Sequence, residues 1–198
     1  MSDAYTHYQQ LVARVEALGQ TIGQRYPTQL TCHAGCDGCC YQQLSVFAVE
    51  AHHLAQAVAA LSPAARAHLA ARVQQADDPW QVLDAPQPCL LLEAGRCSLY
   101  AHRPLICRIH GFPITSRMIE PPDGLQRDCC PLNFTDLPLQ EIAAQAVYNL
   151  DVVNQTLVAI NHLFQQEQAL PDVRVSIRQA LLTALASGTA PETHEPSA

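Results

Sequence analysis

Residues 32–40 read CHAGCDGCC, four cysteines in nine positions. Five more follow at 89, 97, 107, 129 and 130. Thiolates are soft donors that suit zinc and iron–sulfur centres. Such a centre needs about four ligands converging on one point, and short loops supply them. Cys32-x3-Cys36-x2-Cys39 has that form, and a glycine precedes both Cys36 and Cys39. Glycine lets a tight turn aim backbone amides at sulfur. Neighbouring side chains diverge, so neither Cys39-Cys40 nor Cys129-Cys130 is expected to serve one ion as a pair. Two centres, or one centre plus structural thiols, follow from that. Nine thiols fit four plus four with one spare, Cys129 or Cys130.

Other groups stand close in sequence. Arg103 and Arg108 flank Cys107 in RPLICRIHGFP. Guanidinium groups donate to metal-bound sulfur and offset the charge of a thiolate-rich site. His110 is a candidate nitrogen ligand. The expected cofactor is an iron–sulfur cluster of the 4Fe-4S kind, with zinc as the alternative. Nearly all donors are cysteine, the spacings are short, and Cys130-Pro131 resembles a ferredoxin context. The bare Cys32-x3-Cys36-x2-Cys39 spacing also matches radical S-adenosylmethionine enzymes. Gly38 stands where those enzymes carry an aromatic, and a short helical chain lacks their barrel.

Composition narrows the setting. The formal net charge is −7, which disfavours nucleic acid and anionic membranes as partners. All 11 basic residues are arginine, so no lysine is there for Schiff-base or phosphate-loop chemistry. The N-terminal MSDAYTHYQQ does not read as a secretory signal, and no apolar run reaches the ~18 residues of a membrane span. The expected location is the cytoplasm, where reducing conditions disfavour structural disulfides. An odd number of cysteines also forbids complete internal pairing.

The elements that must position the thiols read as a mainly α fold, a small helical bundle with an irregular cysteine-rich middle. One domain over 1–187 is expected, then a disordered tail over 188–198. Tyr8, Leu11, Val12, Val15, Leu18 and Ile22 give residues 3–26 a helical stripe. Ser45 is expected to cap a helix running to about Leu61, with Phe47, Leu54, Val58 and Leu61 inward. The positive end of that helix would then favour thiolate in the preceding loop. Ser62-Pro63 marks the next helix, to about Gln75. Residues 77–137 hold eight of the 14 prolines and weak periodicity. CLLLEAGRCSLY reads there as a hairpin turning at Gly95. A helix over 139–167 carries the seam Leu150, Val153, Leu157, Ile160 and Phe164, with a dimer face as the alternative to core. A last helix spans 173–187, with Ile177, Leu181 and Leu185 inward. On this reading all nine cysteines lie in loops.

The order CHAGCDGCC, PCLLL, RCSLY, RPLICR, CCPLN resembles the bacterial cysteine-cluster family described as zinc- or iron-chelating, the CxxCxxCC or YkgJ type. The likeness covers roughly residues 30–133. The gap from Cys32 to Cys36 is three residues, against two in the family's label. The resemblance implies metal ligands among Cys32, Cys36, Cys39, Cys40, Cys89, Cys97, Cys107 and Cys129 or Cys130. The expected function is a metal-binding protein with redox, metal-handling or electron-transfer work. A related flagellin lysine methylase is thought to use an iron–sulfur centre. Hence the alternatives are a protein-modifying enzyme, with His110, Asp128 and Glu120 as its available acids and bases, or a structural zinc module acting through a protein partner.

Overall fold

The computed structural model describes residues 2–76, 87–119 and 127–187. Six α-helices dominate these residues: α1 (Asp3–Arg25), α2 (Ala48–Ala59), α3 (Pro63–Gln75), α4 (Leu105–Ile109), α5 (Leu150–Gln168) and α6 (Ile177–Ser187). Seven two-residue strands pair between them: β1 (Ser45–Val46), β2 (Leu92–Glu93), β3 (Arg96–Cys97), β4 (Ile114–Thr115), β5 (Arg127–Asp128), β6 (Tyr148–Asn149) and β7 (Val175–Ser176). The fold is mainly α, as expected.

Helix α1 begins where Ser2 accepts from the Tyr5 N–H and buries Tyr8, Leu11, Val15 and Ile22. The expected cap at Ser45 does not form. Ser45 and Val46 pair antiparallel with Ser176 and Val175, and Arg174 donates to the Ser45 hydroxyl at 2.9 Å. Helix α2 therefore starts two residues later, capped at Phe47, with the Glu50 carboxylate accepting from the Phe47 N–H at 3.1 Å. Ser62 caps α3 as expected, accepting from the Ala65 N–H, with Pro63 in the first turn.

The long helix expected over 139–167 is shorter. Residues 139–141 and 144–146 form single 3-10 turns, and β6 pairs in parallel with β4 before α5 begins. The β6 ladder takes the backbone that a helix would need. Asn149 then caps α5, accepting from the Val152 N–H at 3.0 Å. The seam holds: Leu157, Ile160 and Phe164 are buried, and Leu150 and Val153 pack partly buried against the same core. Helix α6 starts at Ile177 rather than 173 because β7 precedes it.

Two apolar clusters result. One joins α1, α4, α5 and the 134–148 segment around Tyr8, Ile22, Leu105, Ile109, Tyr148 and Phe164. The other joins α2, α3 and α6 around Leu54, Val58, Val73 and Leu181, with Leu91 and Leu99 from the hairpin. Each fully buried leucine contributes about 1.5–3 kcal/mol. No helix among the described residues is long and apolar enough to cross a membrane. The expected disordered tail lies outside the described residues.

Candidate metal centre

Three segments carry the thiols: 32–40, 89–107 and 129–130. In the first, the Cys36 N–H closes a turn on the His33 carbonyl at 3.0 Å. The Gly35 N–H bonds the Gly95 carbonyl at 3.0 Å, docking this turn onto the β2–β3 hairpin. The hairpin turns at Ala94 and Gly95, both at positive φ. A Cβ on Gly95 would sit 2.9 Å from the Gly35 Cα, so the two backbones meet only because that residue is glycine. Cys39 and Cys40 follow on a 3-10 turn, Gly38–Tyr41, and the Cys40 carbonyl accepts from the Cys89 N–H at 2.7 Å. Cys97 lies on β3 opposite Leu92, and Cys107 on the one-turn helix α4. The expectation that every cysteine lies in a loop is thus corrected. Cys97 and Cys107 sit in short regular elements, because the cysteine-rich middle is organised by one-turn and two-residue pieces.

The third segment is clamped by Asn133, which is buried. Its side-chain N–H donates to Cys32 Sγ at 3.3 Å and to the Gly111 carbonyl at 2.7 Å. Its side-chain oxygen accepts from the Thr31 N–H and hydroxyl, each at 2.8 Å. Cys129 and Cys130 part here. The Cys129 thiol donates to the carbonyls of Cys130 and Asn133 and packs against the α1–α5 core. Cys130 instead acts on the Cys36 thiol electrostatically.

All nine cysteines are free. Several thiols stand close enough to oppose one another's ionisation. Burial, then Cys39 and Cys89, push the Cys40 thiol up to about 12. Burial, then Cys89 and Cys97, push Cys107 up to about 12. Burial, then Asp128 and Cys130, push Cys129 up to about 11. Cys36 is raised by burial, then by Cys32, Cys130 and Cys39. Cys89 and Cys97 are raised by burial, each eased by a backbone N–H two residues on, from Leu91 and Leu99. The expectation that α2's positive end favours thiolate fails. Its first N–H groups face the Glu50 carboxylate and the Asn161 side-chain oxygen. Among the described residues, no three His, Cys, Asp or Glu side chains stand in metal-holding geometry.

A family model described as "CxxCxxCC: Putative zinc- or iron-chelating domain" matches residues 31–124. The match spans a little under half of the chain and includes the CHAGCDGCC run. No curated protein and no solved structure matches the chain. The match supports metal binding through cysteine, and seven of the nine thiols, Cys32 to Cys107, fall inside the matched segment.

The donor set fits a thiophilic metal. Beyond the thiols, paired N–H groups already point at Cys89 and Cys97, a common way of supporting metal-bound sulfur. Arg103 adds a buried Nε with no hydrogen-bond partner, and its charge favours ionisation of Cys97. Its guanidinium lies over the Tyr100 ring at 3.6 Å. Arg108 does not share that role. It is buried, paired with Glu16, and donates to the Arg103 and Ala101 carbonyls. It braces the turn that presents Cys107. His110 is exposed at the end of α4. Asp128 accepts from the Cys129 N–H, and Glu120 lies outside the described residues. Sequence reasoning missed Asn133 and the two leucine amides. Asn133 in CCPLN carried no ligand spacing, and backbone donors have no residue signature.

Proposed function

We propose that this chain binds metal in two thiol groups, each centred on an iron–sulfur cluster. One group is Cys40, Cys89, Cys97 and Cys107. The other is Cys32, Cys36 and Cys130, with Cys39, which acts on thiols of both groups, completing it. Cys129 is the spare. The observation that carries this reading is the N–H support at Cys89 and Cys97 together with the unpartnered Arg103 Nε beside Cys97. Such donors are costly to bury unless charged sulfur receives them. Loading draws the sulfurs of each group together, and the ligation free energy holds the short turns in place. A bound cluster would supply one-electron chemistry, consistent with a cytoplasmic redox or metal-handling role.

Zinc is the second reading, named beside iron in the description of the matching family. The deciding experiment is anaerobic purification with iron, zinc and sulfide assays and an absorption spectrum. Sulfide in proportion to iron and a broad band near ~400 nm are expected. A colourless, zinc-loaded protein would replace the cluster with zinc. Protein that holds neither metal and melts identically with a chelator would end both readings.

A further inference from the structure

Away from the thiols, three buried polar atoms lack partners: Tyr8 Oη on α1, His53 Nε2 on α2, and His102 Nδ1 in the 3-10 turn Tyr100–His102. They belong to one aromatic group. The Tyr8 and His53 rings are 5.3 Å apart, edge to face, and the His53 and His102 rings 4.8 Å apart. Tyr8 is fully buried. The other ring nitrogen of His53 is engaged by the Tyr5 hydroxyl at 2.9 Å, which fixes the imidazole and leaves Nε2 toward the interior.

Buried polar groups in folded proteins find a partner in the protein or in ordered water. Arg108 acts electrostatically on both Tyr8 and His53, so a cation there would meet a fixed positive charge. A carboxylate-bearing ligand would meet Glu50, which also acts on Tyr8. A neutral molecule with both donors and acceptors suits all three atoms. We propose that Tyr8 Oη, His53 Nε2 and His102 Nδ1 hold a single internal water. Internal waters make about three such bonds. Here the three come from three different elements. His102 belongs to the turn that leads directly into α4, the helix of Cys107. The water therefore pins the Cys107 segment onto the α1–α2 pair.

The test is Tyr8→Phe, which keeps the ring and removes only the hydroxyl. If the water is present, the variant loses one of its bonds and strands the two histidines. Its Tm falls, and the amides of 105–109 exchange faster, by about 5–10-fold. Oxygen-17 relaxation dispersion should count one fewer long-lived water than in the parent protein. If the niche is dry, Tyr8→Phe deletes a lone buried hydroxyl and Tm rises, which overturns the proposal. Zinc or iron retained in a variant lacking the eight cysteines of both thiol groups, and lost again with His53→Gln, would overturn it in favour of a metal.

Discussion

Cys129 and Cys130 are neighbours in the chain and face different surroundings. The Cys129 thiol is spent on the Cys130 and Asn133 carbonyls, whereas Cys130 acts on Cys36. Serine at 129 can donate to the same carbonyls, so Cys129→Ser should leave the metal content unchanged. Cys107→Ser should lower metal per chain by about half, because it opens one group of four and spares the other. Metal assays on both purified variants check this, and equal loss in the two would remove the assignment of the spare. Arg103→Gln should keep the metal but loosen it, with about 10–100-fold weaker retention against a competing chelator, the range for groups that support metal ligands. At this scale the candidate donors were legible in the sequence, because cysteine announces its chemistry by type and spacing. It did not separate Arg103 from Arg108. Both flank Cys107, and only the fold shows that Glu16, 92 positions away, claims Arg108.

The elements around the thiols are small, and their contacts depend on glycine. Gly95 has φ +72°, and a Cβ there would press into the Gly35 backbone. Gly95→Ala should therefore destabilise the protein by about 1–2 kcal/mol from the left-handed conformation alone. It should also lift the 33–36 turn off the hairpin, loosening the group that contains Cys36. Gly38, by contrast, has open space around its Cβ position. Gly38→Ala should be close to neutral in melting temperature and metal content. Similar losses in both variants would show that the hairpin contact does not matter. The hairpin and its glycine turn were legible in CLLLEAGRCSLY, since two turn residues between apolar runs specify it. The β1–β7 and β4–β6 pairings were not. They join residues more than 30 positions apart, and two-residue strands have no period to read. They also moved the starts of α2, α5 and α6, which the sequence had suggested at Ser45, 139 and 173.

Over the whole molecule, the thiol region bridges the two apolar clusters. Cys129 packs on the α1–α5 side, and Cys89 and Cys97 on the α2–α3–α6 side. The helical stripes showed which faces are apolar, but not that those faces divide into two cores. The bridging position makes stability depend on pH in a way that metal should alter. Without metal, Cys40 and Cys107 ionise only near about 12 and Cys129 near about 11. The unfolded chain releases those protons near its ordinary thiol value of 9.0. Above that value the folded state binds more protons than the unfolded, so its stability falls as pH rises from about 9 toward about 12. On the acid side, burial, then His102 and Arg108, lower His53 from 6.5 to about 4. Between those values the unfolded chain binds the extra proton, so stability falls as pH drops through that window. The chelated protein should thus melt highest between about pH 6.5 and 9, with a limb on each side. Metal ionises its ligand thiols on binding, so loading should remove the Cys40 and Cys107 share of the alkaline limb. It should leave the share of Cys129 and of the buried Tyr8 and Tyr148 hydroxyls, and the acid limb. His53→Gln should flatten the acid limb without touching the alkaline one. Melting curves across pH for loaded, chelated and His53→Gln protein read all three effects. An alkaline limb equally steep with and without metal would mean that Cys40 and Cys107 are not its ligands.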